Sequence, residues 1–413
     1  MNFLKKYWWL LVVGIVVLAG LVIVARKLAY GPTGQPRGQN TERFYQNADI
    51  TDPVALGDAH GQQLSNGKCN GTDKPPLTTL PMRPQDFSMI IPYGLTVGGH
   101  VTPIDHQYFS PADQNSPRDA YPVYAMADAT LVDLQPRTTP RGTEYRFVFS
   151  VSCKLFYYYD LVTSLAPEVA AVYNGERASH RVNLPVTAGQ TIGYIGGQTL
   201  DFAVWDMDVV LPGFMVPEHY EGEPWKIHTA DPLDYYTPEV RAQALAKYMR
   251  TVEPRSGKID YDVDGRLVGN WFVEGSGGYA GLQGTENPDY PSTHLSIAPD
   301  HLDPTSIVFS IGDFAGEPAQ FGVVGNAPDP AEMAVTDGLV TYELVLKDWA
   351  DSSGQHWDRM TLAQGLRAAN QTNVQGTALV QLLDDRRLKV EVFPGKTLNQ
   401  VTGFTDAAVI YER

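Results

Sequence analysis

The chain has 413 residues, with 31 basic and 47 acidic side chains and a net charge of −16. This acidic balance argues against nucleic-acid binding, because no basic stripe is available to neutralise backbone phosphates. Two cysteines are too few for a disulfide-rich scaffold. The 38 glycines, 30 prolines and 22 tyrosines favour short strands joined by turns, so we expect a mainly β protein of two or three domains.

The first predicted element is a membrane span. Residues 7–25 carry no charge and consist mainly of Leu, Val and Ile, and the basic pairs Lys5-Lys6 and Arg26-Lys27 flank them. As a helix this segment is about 28 Å long, close to the ~30 Å of a bilayer core. A cleaved signal peptide is the alternative, although its apolar region is normally shorter. We expect a single-pass anchor in the cell membrane, with the C-terminal part extracytoplasmic.

A linker is predicted to follow the anchor. Residues 28–85 are rich in Gly, Pro, Asn, Gln and Asp and show little periodicity, which is typical of a stalk. Residues 1–27 carry +4, which leaves −20 for the remainder of the chain. In an oxidising compartment Cys69 and Cys153 can form one disulfide, and the alternative is two buried thiols.

Two series of short apolar runs predict two β-rich domains. The first series occupies residues 86–250 and ends in a helix over Pro238–Met249, with Thr237 as its N-cap. The second occupies residues 259–413 and predicts an antiparallel barrel or sandwich. The runs lie at residues 89–91, 122–125, 130–134, 145–151, 155–159, 191–195 and 202–205 in the first domain, and at 267–273, 294–298, 306–311, 339–346, 377–383, 388–393 and 407–411 in the second.

One segment resembles a known family. Residues 186–197 read VTAGQTIGYIGG, which is similar to the V-x-x-G-x-x-I-G-x-x-G signature of the lysostaphin/LytM-type zinc endopeptidases, enzymes that cut peptidoglycan cross-links. Residues 120–132 resemble the family's preceding strand pair. Residues 157–161 fall where Y-x-H-L is expected, and residues 201–204 where H-x-H-F-E-V ends. The resemblance covers about residues 87–236 and implies a duplicated hybrid motif fold.

The residues that carry the family's chemistry are replaced. The family binds zinc through a His and an Asp of H-x-x-x-D and the last His of H-x-H. Here the H-x-H position reads Thr199-Leu200-Asp201, and Asp160 stands at the Y-x-H-L histidine. Because a catalytic zinc site needs three protein ligands and an activated water, we expect a pseudo-metallopeptidase without catalytic residues or cofactor.

A mixed His/carboxylate metal site is the alternative. Its candidate ligands are His100, Asp105, His106 and Asp201, with Asp160 as a further candidate in the same groove, and zinc or another divalent cation would suit them. The competing interpretation is that these residues are hydrogen-bonded turn and core residues.

These features together predict a membrane-anchored cell-envelope protein. Its degenerate LytM-like domain is expected to bind peptidoglycan, or to regulate or scaffold a wall hydrolase. A metal-dependent peptidoglycan hydrolase is the first alternative. The second is a small-ligand or adhesion module in the C-terminal domain, because Gly269-Asn270-Trp271 is similar to the Gly-x-Trp opening of lipocalin-type barrels. A core tryptophan explains the same tripeptide.

Overall fold

A computed structural model describes residues 52–173, 181–280, 290–384 and 386–413. It confirms a mainly β protein with a closed barrel and few helices. The predicted membrane span at residues 7–25 lies outside these residues. Within them, no helix is long and apolar enough to cross a bilayer.

The sheet domain comprises residues 52–250. Its α-helices are α1 (Pro53–Leu64), α2 (Pro167–Val172) and α3 (Pro238–Leu245). Its strands are β1 (Phe87–Ile91), β2 (Gln107–Pro111), β3 (Tyr121–Tyr124), β4 (Ala129–Thr139), β5 (Gly142–Ser150), β6 (Leu155–Val162), β7 (Ser164–Leu165), β8 (Arg181–Val186), β9 (Thr191–Ile195), β10 (Leu200–Asp206) and β11 (Thr229–Ala230). Short 3-10 helices lie at Pro217–Tyr220, Lys226–His228 and Pro232–Asp234.

Most of these strands form one large antiparallel sheet. Its order is β1-β2-β10-β6-β5-β4-β8, with β11 paired to β10 at the side of this path. A smaller sheet has the order β3-β9-β7 and contains the glycine-rich segment that resembles the LytM signature. Gly193 in β9 has no room for a side chain, because a Cβ there would lie 2.6 Å from the carbonyl oxygen of Ser164. The signature glycine therefore allows two strands to approach closely.

Strand β10 is buried on both of its faces. Leu200, Phe202 and Val204 belong to the core between the large and small sheets. Ala203 and Trp205 belong to a second cluster on the opposite face, because side chains alternate along a strand. Asp201 lies two residues before Ala203 and shares this second face.

The segment from residue 52 to 85 is part of the sheet domain, so the linker interpretation does not hold for these residues. Helix α1 begins with Asp52 as its N-cap, whose side chain accepts a hydrogen bond from the Val54 amide at 2.9 Å. Gly57 and Gly61 let the helix contact backbone directly, since Cβ atoms there would lie 1.9 and 2.3 Å from carbonyl oxygens. Leu77, Leu80 and Met82 are buried in the main core.

A disulfide joins this segment to the sheet. Cys69 and Cys153 are bonded, with their Cα atoms 4.8 Å apart. Cys153 lies in the short connection between β5 and β6, next to the central strands of the large sheet. The N-terminal segment of the described chain is therefore covalently attached close to the centre of the domain.

The barrel domain comprises residues 259–413. Eight strands close in the order β12-β13-β14-β15-β16-β19-β20-β21, so that the first strand pairs with the last. They are β12 (Gly269–Val273), β13 (His294–Pro299), β14 (Ile307–Phe314), β15 (Glu317–Val323), β16 (Val340–Leu346), β19 (Val374–Asp384), β20 (Arg387–Pro394) and β21 (Val409–Glu412), with a separate pair β17 (Trp349–Ala350) and β18 (Arg367–Ala368). Short 3-10 helices lie at Gly278–Ala280, Tyr290–Thr293, Val324–Asn326, Val335–Asp337 and Leu398–Gln400.

Side chains pack the interior of this barrel. Alternate residues of its strands form one buried cluster that includes Trp271, Phe309 and Tyr342. The indole of Trp271 donates to the Leu267 carbonyl at 2.9 Å, and the Arg413 guanidinium lies 4.0 Å from the Trp271 ring centroid. An eight-stranded barrel is narrow enough to be filled in this way. This packing favours Trp271 as a core residue and does not favour a small-ligand barrel.

The two domains share a hydrophobic cluster. Tyr220 and Trp225 of the sheet domain pack with Phe272 and Tyr279 of the barrel domain. At the edge of this contact, the Gln320 side chain exchanges two hydrogen bonds with the backbone of Gly98, at 2.9 and 3.0 Å. The barrel therefore rests on the face of the large sheet that carries Asp201.

Candidate functional site

The structure brings together all five residues that the sequence nominated for a site. They lie on neighbouring strands of the large sheet and on the loop before β2. Asp201 on β10 is directly opposite Tyr108 on β2 and Asp160 on β6. Asp105 and His106 immediately precede β2, and His100 lies in a turn a few residues earlier. We call this group, together with Lys226, the charged site.

His106 is at the centre of the charged site. Its Nδ1 is 3.3 Å from Asp105 Oδ1, and its Nε2 is 3.4 Å from Asp201 Oδ2 and 3.1 Å from the Tyr108 hydroxyl. Burial alone would lower the pKa of His106, but Asp201 and Asp105 raise it overall. The imidazole is thus held between two carboxyl groups by both ring nitrogens.

Lys226 supplies a buried positive charge to the same site. Its Nζ lies 3.0 Å from Asp105 Oδ2 and 3.6 Å from Glu223 Oε2, and only 3 % of its side chain is exposed. It also lies 4.3 Å from the ring centroid of Tyr279, a residue of the barrel domain. Burial acts against ionisation of Asp105, but Lys226 and His106 hold the pKa of its carboxyl well below the usual range.

Asp160 is neutralised by a different cation. Arg137 on β4 donates to its two carboxylate oxygens at 3.1 and 3.4 Å, and the Leu161 amide donates to Oδ1 at 2.6 Å. Paired donors of this kind match the planar geometry of a carboxylate. Asp160 therefore has a complete set of partners inside the domain.

Asp201 is less completely satisfied. Its Oδ2 faces His106, but its Oδ1 is buried and has no hydrogen-bond partner among the residues that the structure describes. Burial raises the pKa of Asp201 to about 7; His106 opposes this shift, and the neighbouring Asp160 adds to it. A buried carboxyl oxygen without a donor is unusual, because such groups are costly to leave unpaired.

His100 lies at the outer edge of the charged site. Its side chain is exposed, and its ring centroid is 5.6 Å from that of His106. Its backbone closes a turn with Val97 through two hydrogen bonds of 2.9 and 3.1 Å. His100 and the partly exposed Tyr108 therefore mark the side from which the site is accessible.

The charged site does not fit a metal centre. Both nitrogens of His106 already face carboxyl or hydroxyl partners, and the ammonium of Lys226 occupies the contact position on Asp105. A divalent cation placed beside Asp105 would be repelled by this ammonium. In the part of the chain that the structure describes, no group of three or more His, Cys, Asp or Glu side chains is arranged to hold a metal ion.

Sequence reasoning did not find Lys226, Glu223 or Arg137. Lys226 lies in a long connection between β10 and β11 that has no strand pattern, and only the folded chain brings it to Asp105. One local signal was available: Lys226 stands between the apolar residues Trp225 and Ile227, both of which are buried. A lysine enclosed in this way usually has a buried acidic partner.

Comparisons with known proteins found distant structural similarities. No protein-family model matches the chain, and no curated protein matches it. Among solved structures, the chain is similar to a zinc-containing peptidase from Vibrio cholerae (14% identity, TM-score 0.24, 33% of this chain and 38% of that one). It is also similar to Csd3 of Helicobacter pylori (16%, 0.24, 38% and 34%) and to lysostaphin (12%, 0.26, 72% and 100%). The chain spans little more than a third of the length of the first two proteins.

At these low TM-scores the comparisons carry no argument about function. The interpretation therefore depends on the signature in β9, on the order of the strands around it and on the contacts of the charged site.

Proposed function

We propose that this protein is a membrane-anchored cell-envelope protein whose sheet domain binds peptidoglycan without cleaving it. Residues 7–25 anchor it, and residues from about 30 onward are extracytoplasmic. The charged site and its exposed edge, at His100 and Tyr108, form the binding surface. The barrel domain supports this surface by packing against the same face of the large sheet.

One observation carries the non-catalytic part of the proposal: the ammonium of Lys226 supplies a positive charge inside the site. The lysostaphin/LytM-type enzymes, which the chain resembles, place zinc in the corresponding groove. Here Asp105 is paired with Lys226 at 3.0 Å, and Asp160 and Asp201 replace two of the family's histidines. The site is charge-compensated by the protein itself, so its fold does not require a metal.

The cysteine pair supports the extracytoplasmic placement. Disulfides persist in oxidising compartments and are rare in the reducing cytosol. Cys69 and Cys153 are bonded, and both lie C-terminal to the proposed anchor. This arrangement agrees with an orientation in which both domains lie outside the cytoplasm.

Co-sedimentation of the purified full-length protein with isolated sacculi tests the binding. We expect the protein to sediment with the sacculi, and we expect Tyr108→Ala to reduce the bound fraction at least fivefold. Glu317→Gln, an exposed substitution in the barrel strand β15, is the matched control and should bind normally. Absence of sedimentation at both low and high salt would contradict the proposal.

Metal content and peptidoglycan hydrolysis test the non-catalytic part. Elemental analysis should find far less than one zinc per chain, and incubation with sacculi should release no soluble fragments. One firmly bound metal per chain together with fragment release would favour the metal-dependent hydrolase instead. Loss of both in His106→Ala would then identify the charged site as its active centre.

A further inference from the structure

Two carboxyl groups lie side by side at the charged site. Asp201 on β10 and Asp160 on β6 are directly opposite each other in the antiparallel pair. Opposite residues in such a pair have Cβ atoms about 4.5–5.5 Å apart, so their side chains interact. Like charges at this distance repel one another unless each carboxyl group has its own donor or counter-ion.

Only one of the two carboxyl groups has its full set of donors. Asp160 accepts hydrogen bonds from the Arg137 guanidinium and from the Leu161 amide. Asp201 faces His106 through Oδ2, whereas its Oδ1 has no hydrogen-bond partner within the described part of the chain. About a tenth of each side chain remains accessible: 10 % for Asp201 and 12 % for Asp160.

The nearby cations are committed to other groups. Lys226 contacts Asp105 and Glu223, and Arg137 lies close to both Asp160 and Glu144. Arg146 stacks between the rings of Tyr158 and Trp225, at 4.8 and 4.9 Å from their centroids. The missing donor for Asp201 is therefore best supplied by a ligand.

We infer that Asp201, with Asp160 beside it, receives a primary ammonium group of the bound ligand. Such a group carries three N–H donors and one positive charge in a compact head, which suits two adjacent and largely buried carboxyl groups. It supplies a donor to the Asp201 carboxyl group and reduces the repulsion between the two carboxyl groups in a single contact. An acetylated amine would bring one donor and no charge.

This inference rests on the proposed peptidoglycan binding and names the chemical group that is recognised. In peptidoglycan, the free amines of stem peptides that are not cross-linked carry this chemistry. The protein would then distinguish uncross-linked from cross-linked wall, because cross-linking converts the amine into an amide.

Sacculi with blocked amines provide the test. The full-length protein is sedimented with untreated sacculi and with sacculi N-acetylated by acetic anhydride. We expect acetylation to reduce binding at least fivefold. Asp201→Asn should bind untreated sacculi as weakly as the unaltered protein binds acetylated sacculi, and acetylation should not weaken it further. The control Glu317→Gln should respond to acetylation as the unaltered protein does.

Failure of the ammonium inference and failure of the proposed function give different binding results. Equal binding of the unaltered protein to both preparations would overturn the ammonium inference and leave the proposed function standing. Binding to neither preparation would contradict the proposed function and the inference with it.

Competition with a soluble amine tests the inference without any substitution in the protein. Cadaverine at millimolar concentration should displace the unaltered protein from untreated sacculi, whereas 1,5-pentanediol at the same concentration should not. Equal displacement by the two compounds, or by neither, would overturn the inference even if Asp201→Asn failed to fold.

Discussion

Lys226 is the residue on which the charge balance of the site depends. Its side chain is almost fully buried and forms ion pairs with Asp105 and Glu223. A buried lysine destabilises the fold when its acidic partners are removed, and the buried carboxylates do so when the lysine is removed.

Removal of this lysine should be strongly destabilising. Lys226→Ala leaves the Asp105 carboxylate buried without its principal counter-ion, and we expect a loss of about 3–5 kcal/mol in the free energy of unfolding. Urea denaturation followed by tryptophan fluorescence measures this loss. Arg387→Ala is the control, because the Arg387–Asp384 pair is half exposed on both sides and should contribute less than about 1 kcal/mol. Similar losses in the two variants would contradict the role given to Lys226.

At the residue scale, the sequence located the acidic and histidine side chains of the site but not their counter-ions. Asp160 and Asp201 could be found because they stand at defined positions of a motif, and the two cysteines because they are the only pair. Lys226 and Arg137 come from a connection and from β4, and no local pattern relates them to the site. Charge pairing across a sheet depends on register, which a single sequence does not show.

At the scale of elements, strands with clear apolar runs were predicted well and polar ones were missed. The segment 191–195 is a strand with the predicted bounds, and the predicted helix after Thr237 begins at Pro238. Strands β2, β8 and β15 were not predicted. Each contains proline and polar residues, so its extended conformation depends on hydrogen bonds from neighbouring strands and not on local propensity.

Helix α1 was missed for a related reason. It contains Gly57 and Gly61, which are unfavourable within helices, and its apolar stripe is short. The same glycines allow it to pack directly on the backbone at Met207 and Cys153. A feature that weakens the helix in isolation thus strengthens its contact in the folded domain.

A histidine pair also attaches α1 to the domain and should make it sensitive to acid. His60 Nδ1 lies 2.7 Å from His228 Nε2, and His228 Nδ1 donates to the Val209 carbonyl at 2.5 Å. Burial, together with the neighbouring His228, lowers the pKa of His60 to about 3, and burial lowers that of His228 to about 4. Both rings are therefore neutral in the native state at pH 5, whereas unfolded histidines with a pKa near 6.5 bind protons.

Stability should accordingly fall as the pH falls from about 6.5 towards 4. Above pH 6.5 the stabilisation that the neutral histidine pair provides is fully present. Below pH 6.5 the unfolded state binds more protons than the native state, and this stabilisation decreases. Each of the two histidines adds a slope of up to about 1.4 kcal/mol per pH unit. His60→Asn should remove one such slope in urea denaturation series at stepped pH, whereas the exposed His356→Asn should not. Parallel curves for His60→Asn and the unaltered protein would contradict this assignment.

At the scale of the whole molecule, the two domains share part of their core. Phe272 of the barrel lies 5.8 Å from Tyr220 and 5.7 Å from His219 of the sheet domain, measured between ring centroids, and is almost fully buried. The sequence predicted both domains but not this contact, because Tyr220 and Tyr279 lie in short 3-10 helices outside the predicted strands. Burial of large aromatic side chains between domains favours cooperative unfolding.

Differential scanning calorimetry should show this coupling. The unaltered protein is expected to unfold in one transition, and Phe272→Ala, which removes about 3–5 kcal/mol of packing, should separate it into two. Val390→Ala lies in the barrel core alone and should lower the midpoint without separating the transitions. Two transitions already present in the unaltered protein would show that the domains unfold independently.

The net charge of residues 28–413 limits how the part of the chain that we propose to be extracytoplasmic can contact the wall. Residues 28–413 carry −20, so anionic wall polymers repel them at long range. Salt screens this repulsion, with a Debye length of about 10 Å at 0.1 M. Binding to sacculi should therefore strengthen as NaCl rises from 20 to 150 mM, in a co-sedimentation series. A steep decrease over this range would indicate a basic binding surface, contrary to the location proposed.

The disulfide also determines how the protein would respond to mechanical tension between its proposed anchor and the wall. A force that enters the described chain at its N-terminal end reaches Cys69 after α1 and then passes through the sulfur bridge directly to Cys153. The 84-residue separation between the cysteines, which includes β1 to β5, is bypassed by the force. In single-molecule stretching, reduction of the disulfide should release about 280–300 Å of additional contour length from the segment between Cys69 and Cys153. In the proposed orientation the bond would thus prevent extension of the segment between the cysteines, which contains His100, Asp105, His106 and Tyr108.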